Sequence, residues 1–166
     1  MAIDPGPLDP AEFQRFLDTF MYRESAFLVD AIETIDEQAH RIEARLDSTR
    51  ALPFSREQRN NERHPAHVAG AELVMVTGSM GCMHAWWFHG CRWDEGWVGF
   101  GNRIHRADFR QLAHIGPPLH LISQETRSRV GPKRIMLRFE FSFEQEGKVV
   151  YRSEQSAMFV KDRPLV

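Results

Sequence analysis

Apolar positions along this chain recur with two different periods, and the places where the period changes outline its elements. Phe13, Phe16, Leu17 and Phe20 follow Asp9-Pro10-Ala11-Glu12 at helical spacing. Asp9 is a capping residue, Pro10 suits a first turn, and Glu12 completes a box-like start. A short helix over about 10–21 is predicted. Two strands should follow. Ala26 to Ile35 is apolar and rich in strand formers, and His40 to Leu46 alternates, with Ile42, Ala44 and Leu46 on one face. Asp36-Glu37-Gln38 connects them, and residues 48–66 read as a long polar loop of the kind often kept for function.

Val68 to Phe88 is the one long, mostly apolar segment. Its glycines, Gly70, Gly78 and Gly81, each cost an isolated helix about 1 kcal/mol relative to alanine. Yet Ala71, Gly78, Gly81 and Ala85 fall near one helical face, where small residues let a sheet approach closely. This favours a buried central helix over the alternative of two short strands around a glycine turn. After a loop at 89–96 the pattern is all strand: Trp97 to Phe109, with Gly99 and Gly101 as candidate bulges; Leu119 to Val130 after the turn Gly116-Pro117-Pro118; and Ile135, Leu137, Phe139, Phe141 and Phe143 in strict alternation after Gly131-Pro132. Glu146-Gly147 closes a hairpin into Val149 to Val160. The order predicts an α+β fold, an antiparallel sheet wrapped around one long helix, with residues 1–9 as a tail and 10–166 as a single domain.

Composition narrows the function classes. A length of 166 residues suits one domain that needs no disulfide or metal staple. The formal charge of −2 gives no electrostatic case for nucleic acid. The N-terminus lacks the basic and apolar regions of a signal peptide, and no apolar run reaches the length of a membrane span. Two cysteines, Cys82 and Cys91, do not make a secreted disulfide framework and fit a reducing cytoplasm.

Short motifs add a resemblance. Ala26-Phe27-Leu28-Val29-Asp30 resembles the opening strand of the FabZ/FabA-type hydroxyacyl dehydratases. So does Asn102 to Leu119, through Arg106-Ala107-Asp108-Phe109-Arg110 and Gly116-Pro117-Pro118-Leu119. A closer similarity is to the FcoT-like fatty acyl-CoA thioesterases. There, a strand ending in Leu-Ile-Asp is followed later by a His, a few small residues and Glu-Leu. Leu28-Val29-Asp30 and His67-Val68-Ala69-Gly70-Ala71-Glu72-Leu73 occupy those places. The resemblance covers residues 12–160 and implies the hotdog fold. It also departs from both families. Ala69 stands where the thioesterases have Asn, Phe20 and Asn61 stand near their tyrosines, and His64-Pro65 only echoes the dehydratase loop.

The resemblance singles out His64, His67 and Glu72 as catalytic candidates. An imidazole and a carboxylate facing one pocket share proton transfer at neutral pH. Gly70 and Ala71 would offer helix-start amides to a thioester carbonyl, and Met75, Trp86 and Phe88 would line an acyl tunnel. The same residues have a structural explanation: Glu72 favours any helix start, and loop histidines are commonly solvated. His84 and His89 near Cys82 and Cys91 show no established zinc spacing, and Met83, Trp86, Trp87 and Phe88 read as an apolar wall, so no metal or other cofactor is expected. Cys82 lacks an evident base, and Ser79 is not in a nucleophile elbow. Arg127, Arg129, Lys133 and Arg134 would meet coenzyme A phosphates or an acidic carrier protein, or form a solvated strand edge.

The expectation is an acyl-thioester enzyme, a thioesterase on acyl-CoA or acyl carrier protein in fatty-acid or polyketide chemistry. A 3-hydroxyacyl dehydratase and a non-catalytic acyl-binding module are the alternatives. The resemblance also implies a homodimer or higher even oligomer, paired through the strand at Trp97 to Phe109.

Overall fold

The structure, a computed structural model, describes residues 2–162; residues 163–166 of the expected domain lie outside it. Its elements are α1 (Pro10–Thr19), β1 (Ala31–Asp36), β2 (Arg41–Leu46), α2 (Gly70–His89), β3 (Trp97–Phe109), β4 (Leu119–Val130), β5 (Arg134–Gln145) and β6 (Lys148–Lys161). All six strands join one antiparallel sheet in the order β1-β2-β4-β5-β6-β3. The sheet wraps α2, the hotdog arrangement that the resemblance implied. None of the described helices is long and apolar enough to cross a membrane.

Asp9 caps α1 as expected, accepting the Glu12 amide at 2.8 Å. The Glu12 carboxylate does not close the box. It reaches across to the Trp86 indole at 2.9 Å and to Arg92 at 3.0 Å, tying α1 to the far end of α2. The strand expected over Ala26 to Ile35 is shorter: Glu24–Ala26 is a 3-10 turn and pairing begins only at Ala31. Phe27, Leu28 and Val29 are all buried. Consecutive burial leaves no solvent face, so their strand-like composition serves packing instead of a ladder.

The twenty residues of α2 span about 30 Å and are apolar on almost every side. The expected small-residue face is split. Gly81 lets the Phe139 ring approach to 3.5 Å from where a Cβ would stand, and Ala85 is fully buried, whereas Gly78 faces open space and Ala71 is exposed. Ile135, Leu137, Phe139, Phe141 and Phe143 all turn inward on β5, as the period-two pattern predicts.

The two sheet edges differ. Asp4 pairs with Ala31 beside β1, its amide donating to the Asp30 carbonyl and its own carbonyl accepting from Ile32, both at 2.9 Å. Gly6 then takes φ +56° against β1, where any Cβ would lie 1.8 Å from the Ile32 carbonyl oxygen. At the other edge β3 shows Phe100, Ile104 and Phe109 about half exposed. The register of β3 against β6 shifts between Gly101 and Arg103 and again between Ile104 and Arg106, so one of the two candidate glycines does mark a bulge.

Candidate active site

The start of α2 is assembled by a distant loop. Ala69, the residue before the helix, has no polar side chain with which to cap it. Ser55, fourteen residues earlier, supplies one, its hydroxyl accepting the Ala69 amide at 2.8 Å. Glu72 completes the cap. Its Oε1 accepts the Phe54 and Ser55 amides at 2.7 and 3.1 Å, and its Oε2 accepts the Ser55 hydroxyl and, at 3.2 Å, the Ala69 amide. The carboxylate is fully buried with both oxygens occupied. The expected opposition of Glu72 and His67 across one pocket is therefore not formed. Four donors have captured the carboxylate, and the His67 imidazole is not among them.

His67 and His64 do come together, with ring centroids 5.0 Å apart. His67 is held by its backbone: its carbonyl accepts the Gln58 side-chain amide at 2.6 Å, the chain bridges to His114, and Val68 donates to Ala113 at 2.7 Å. Its Nδ1 lies 2.8 Å from the Pro65 carbonyl. A carbonyl can only accept, so Nδ1 is the donor here, which leaves Nε2 as the nitrogen that accepts in the neutral ring. The exposed His64 exchanges backbone hydrogen bonds with Asn61, both at 3.0 Å.

Gly70 and Ala71 open the helix, where no preceding turn supplies carbonyls for their amides. The Phe109 ring from β3 lies against Gly70, 2.8 Å from where a Cβ would stand, so only glycine fits there without displacing the ring.

Farther along α2 a cleft of about 520 Å³ opens between the helix and β3. Met75, Gly78 and Cys82 form one wall, the stretch from Gly99 to Ile104 another, and Phe139 and Phe159 the floor. Gly99 keeps this space open, since a Cβ there would stand 2.6 Å from the Phe159 ring. One polar chain crosses the apolar lining. The Thr77 hydroxyl lies 3.2 Å from Gln155 Oε1, and the Gln155 amide donates to Ser153 and Tyr151 at 3.0 and 3.3 Å. Burial raises the Tyr151 phenol above its ordinary range, so it stays protonated. The sequence reading missed this chain. Its one available signal was a run of polar residues at Ser153-Glu154-Gln155-Ser156 inside an otherwise apolar strand.

Met75 lines the cleft; Trp86 and Phe88 do not. Trp86 is fully buried at the other end of the helix, packed on Phe16 and Trp93 with ring centroids 5.4 and 5.7 Å away. Phe88 lies flat on His40 at 4.7 Å. Both are more than a full turn beyond Cys82, the last helix residue in the cleft wall. Cys82 and Cys91 are buried, and burial pushes both thiols up to about 12, which makes them packing residues and not nucleophiles. Arg127, Arg129, Lys133 and Arg134 are exposed at the far end of the β4–β5 hairpin. A separate groove of about 440 Å³ on the outer sheet face gathers Arg41, Arg106, Arg110 and Arg152 among Asp108, Glu140 and Glu154.

Known structures share this architecture. A thioesterase from Haemophilus influenzae matches at 14% identity over 89% of this chain and 90% of that one, with a TM-score of 0.57. A mutant thioesterase from Pseudomonas aeruginosa matches at 12% identity over 95% and 99%, with a TM-score of 0.60. A hypothetical thioesterase from Streptococcus pneumoniae, solved with coenzyme A, matches at 12% identity over 89% and 98%, with a TM-score of 0.58. At these identities the likeness establishes the hotdog fold. No protein-family model and no curated protein matches the sequence.

Proposed function

We propose that this chain hydrolyses acyl thioesters of coenzyme A or an acyl carrier protein. The observation that carries the reading is the apolar cleft beside α2, which lies on the side of the helix that β3 crosses. The same strand places Phe109 at the helix start and Gly99 to Ile104 in the cleft wall. An acyl chain laid in the cleft would bring its carbonyl toward Gly70 and Ala71. Their amides and the positive end of the helix stabilise the oxyanion formed when water attacks. His67 takes a proton from that water through Nε2 and returns it to the departing thiolate as the C–S bond breaks. Glu72 is a positioning residue that fixes the 48–66 loop. The fold shared with thioesterases, one of them solved with coenzyme A, supports the reaction class.

Two copies complete the assembly. Antiparallel pairing of β3 with β3 would cover the half-exposed Phe100 and Ile104 and close the outer side of the cleft. Two free, buried cysteines suit the reducing cytoplasm. The test is incubation of the purified protein with saturated, 3-hydroxy and 2,3-unsaturated acyl thioesters of both carriers, followed by mass detection. Release of free thiol is the expected result. Loss or gain of water without free thiol would replace hydrolysis by dehydratase chemistry, and binding without turnover would leave an acyl-binding module.

A further inference from the structure

At the opposite end of α2 from His67, three elements bring two imidazoles and a carboxylate together. His40 closes the β1–β2 turn in the left-handed region, at φ +48°, which is uncommon for any residue with a side chain. His89 is the last residue of α2. Glu125 sits on β4 at a register shift against β5, the kind of irregularity that re-aims a side chain. His89 Nε2 lies 2.7 Å from one Glu125 oxygen and His40 Nδ1 lies 3.3 Å from the other. The Glu125 amide donates to the His40 carbonyl at 3.0 Å, pinning the turn to the strand.

We propose that His40, His89 and Glu125 form a three-ligand site for a divalent transition-metal ion, zinc by its ligand chemistry, with water in the fourth position. One donor atom from each lies within 4.8 Å of the other two. Tetrahedral zinc at about 2.0–2.2 Å from nitrogen and oxygen needs its ligand atoms only about 3.3 Å apart, so small side-chain rotations suffice. Two imidazoles and a carboxylate are a set that zinc uses when one position stays open to water. The Glu125 and His89 side chains are 5% and 7% exposed, whereas His40 is 36% exposed, so the third ligand faces an entry path.

The surroundings support a cation. The carbonyl end of a 20-residue helix points its negative partial charge toward the site. Phe88 fixes the His40 ring at 4.7 Å with the planes 2° apart. His84, one turn earlier on α2, is fully buried and adds no positive charge, because burial lowers its imidazole to about 3. The ion would join the turn, the helix end and β4. It would stand roughly 28 Å along the helix from Gly70, outside the acyl cleft.

The test uses the full chain, stripped with a chelator and titrated with Co²⁺, whose visible d–d bands intensify in a tetrahedral site. One equivalent should bind, Zn²⁺ should displace it, and the apo protein should melt at a lower temperature than the zinc-loaded one. H40A removes a part-exposed ligand without touching the core and should weaken binding by more than about 100-fold, beyond the range for an outer-shell partner. H105A, on exposed β3, should bind like the parent. The proposal is overturned if no stoichiometric ion binds, if the bands are those of an octahedral surface complex, or if both H40A and H89Q bind as tightly as the parent.

Discussion

Ser55 and Glu72, seventeen residues apart, form one joint. The Ser55 amide donates to Glu72 Oε1 at 3.1 Å and its hydroxyl donates to Oε2, while the same hydroxyl accepts the amide that precedes α2. A polar loop thereby becomes the cap of the central helix, and the helix becomes the anchor of the loop that carries His64 and His67.

Breaking that joint should destabilise the protein and loosen the loop. Glu72→Gln keeps the size but turns an NH₂ toward groups that are themselves donors. Charge-assisted bonds of this kind are worth about 1.5–3 kcal/mol, and a loss of that order is expected in urea unfolding. Limited proteolysis should cut between residues 48 and 66 faster than in the parent. Unchanged stability and cutting would remove Glu72 from this role.

His67→Ala should lower kcat for thioester hydrolysis at least about 100-fold with the fold intact, the lower end for a general base. His64→Ala should cost much less, because His64 is exposed and held only through its backbone. Equal, small effects of both changes would place the base elsewhere, with the Thr77–Gln155 pair next to examine.

Gly78 offers a way to change the cleft without harming the helix. A Cβ there meets nothing within 4 Å. Gly78→Ala should raise stability by about 0.5–1 kcal/mol, the ordinary gain in a helix interior. Gly78→Leu should shift acyl preference toward shorter chains, measured as kcat/KM across a chain-length series. An unchanged profile would show that the acyl chain lies elsewhere.

His84 makes stability depend on pH. Its Nε2 lies 2.8 Å from the Ser123 hydroxyl and its buried Nδ1 has no partner among the described residues. Burial lowers the imidazole from 6.5 to about 3. The unfolded chain therefore binds a proton in this window that the folded one refuses. The stability is fully present above about 6.5 and falls as the pH drops toward 3, by up to about 1.4 kcal/mol per pH unit. His84→Gln should lose less stability than the parent between pH 7 and pH 5 in parallel urea titrations. Equal losses would mean that the imidazole titrates normally.

The β3 edge should hold a second copy. Light scattering at micromolar concentration should give twice the chain mass, and Ile104→Lys, on the half-exposed face of the edge, should shift the protein toward monomer. A monomeric parent would leave the cleft open on that side.

The apolar pattern placed the long helix and most of the strands, although β1 begins five residues later than the expected strand. Alternation on β5 and the Glu146-Gly147 turn placed the last strands to within a residue or two, because a period of two with one buried face permits a single register. The apolar segment from Val68 placed the helix start to within two residues, but the groups that cap it were not local, since Ser55 accepts the Ala69 amide from fourteen residues away. What Glu72 does there was decided only in three dimensions. A carboxylate goes to the strongest nearby donors, and the amides of Phe54 and Ser55 reach it through a loop whose path no local pattern records. Likewise Trp86 carries the composition of a tunnel wall, yet α1 folds over it and buries it. The meeting of His40, His89 and Glu125 depends on a turn, a helix end and a strand irregularity far apart in sequence. Long-range proximity is a property of the packed sheet, and only the folded chain fixes it.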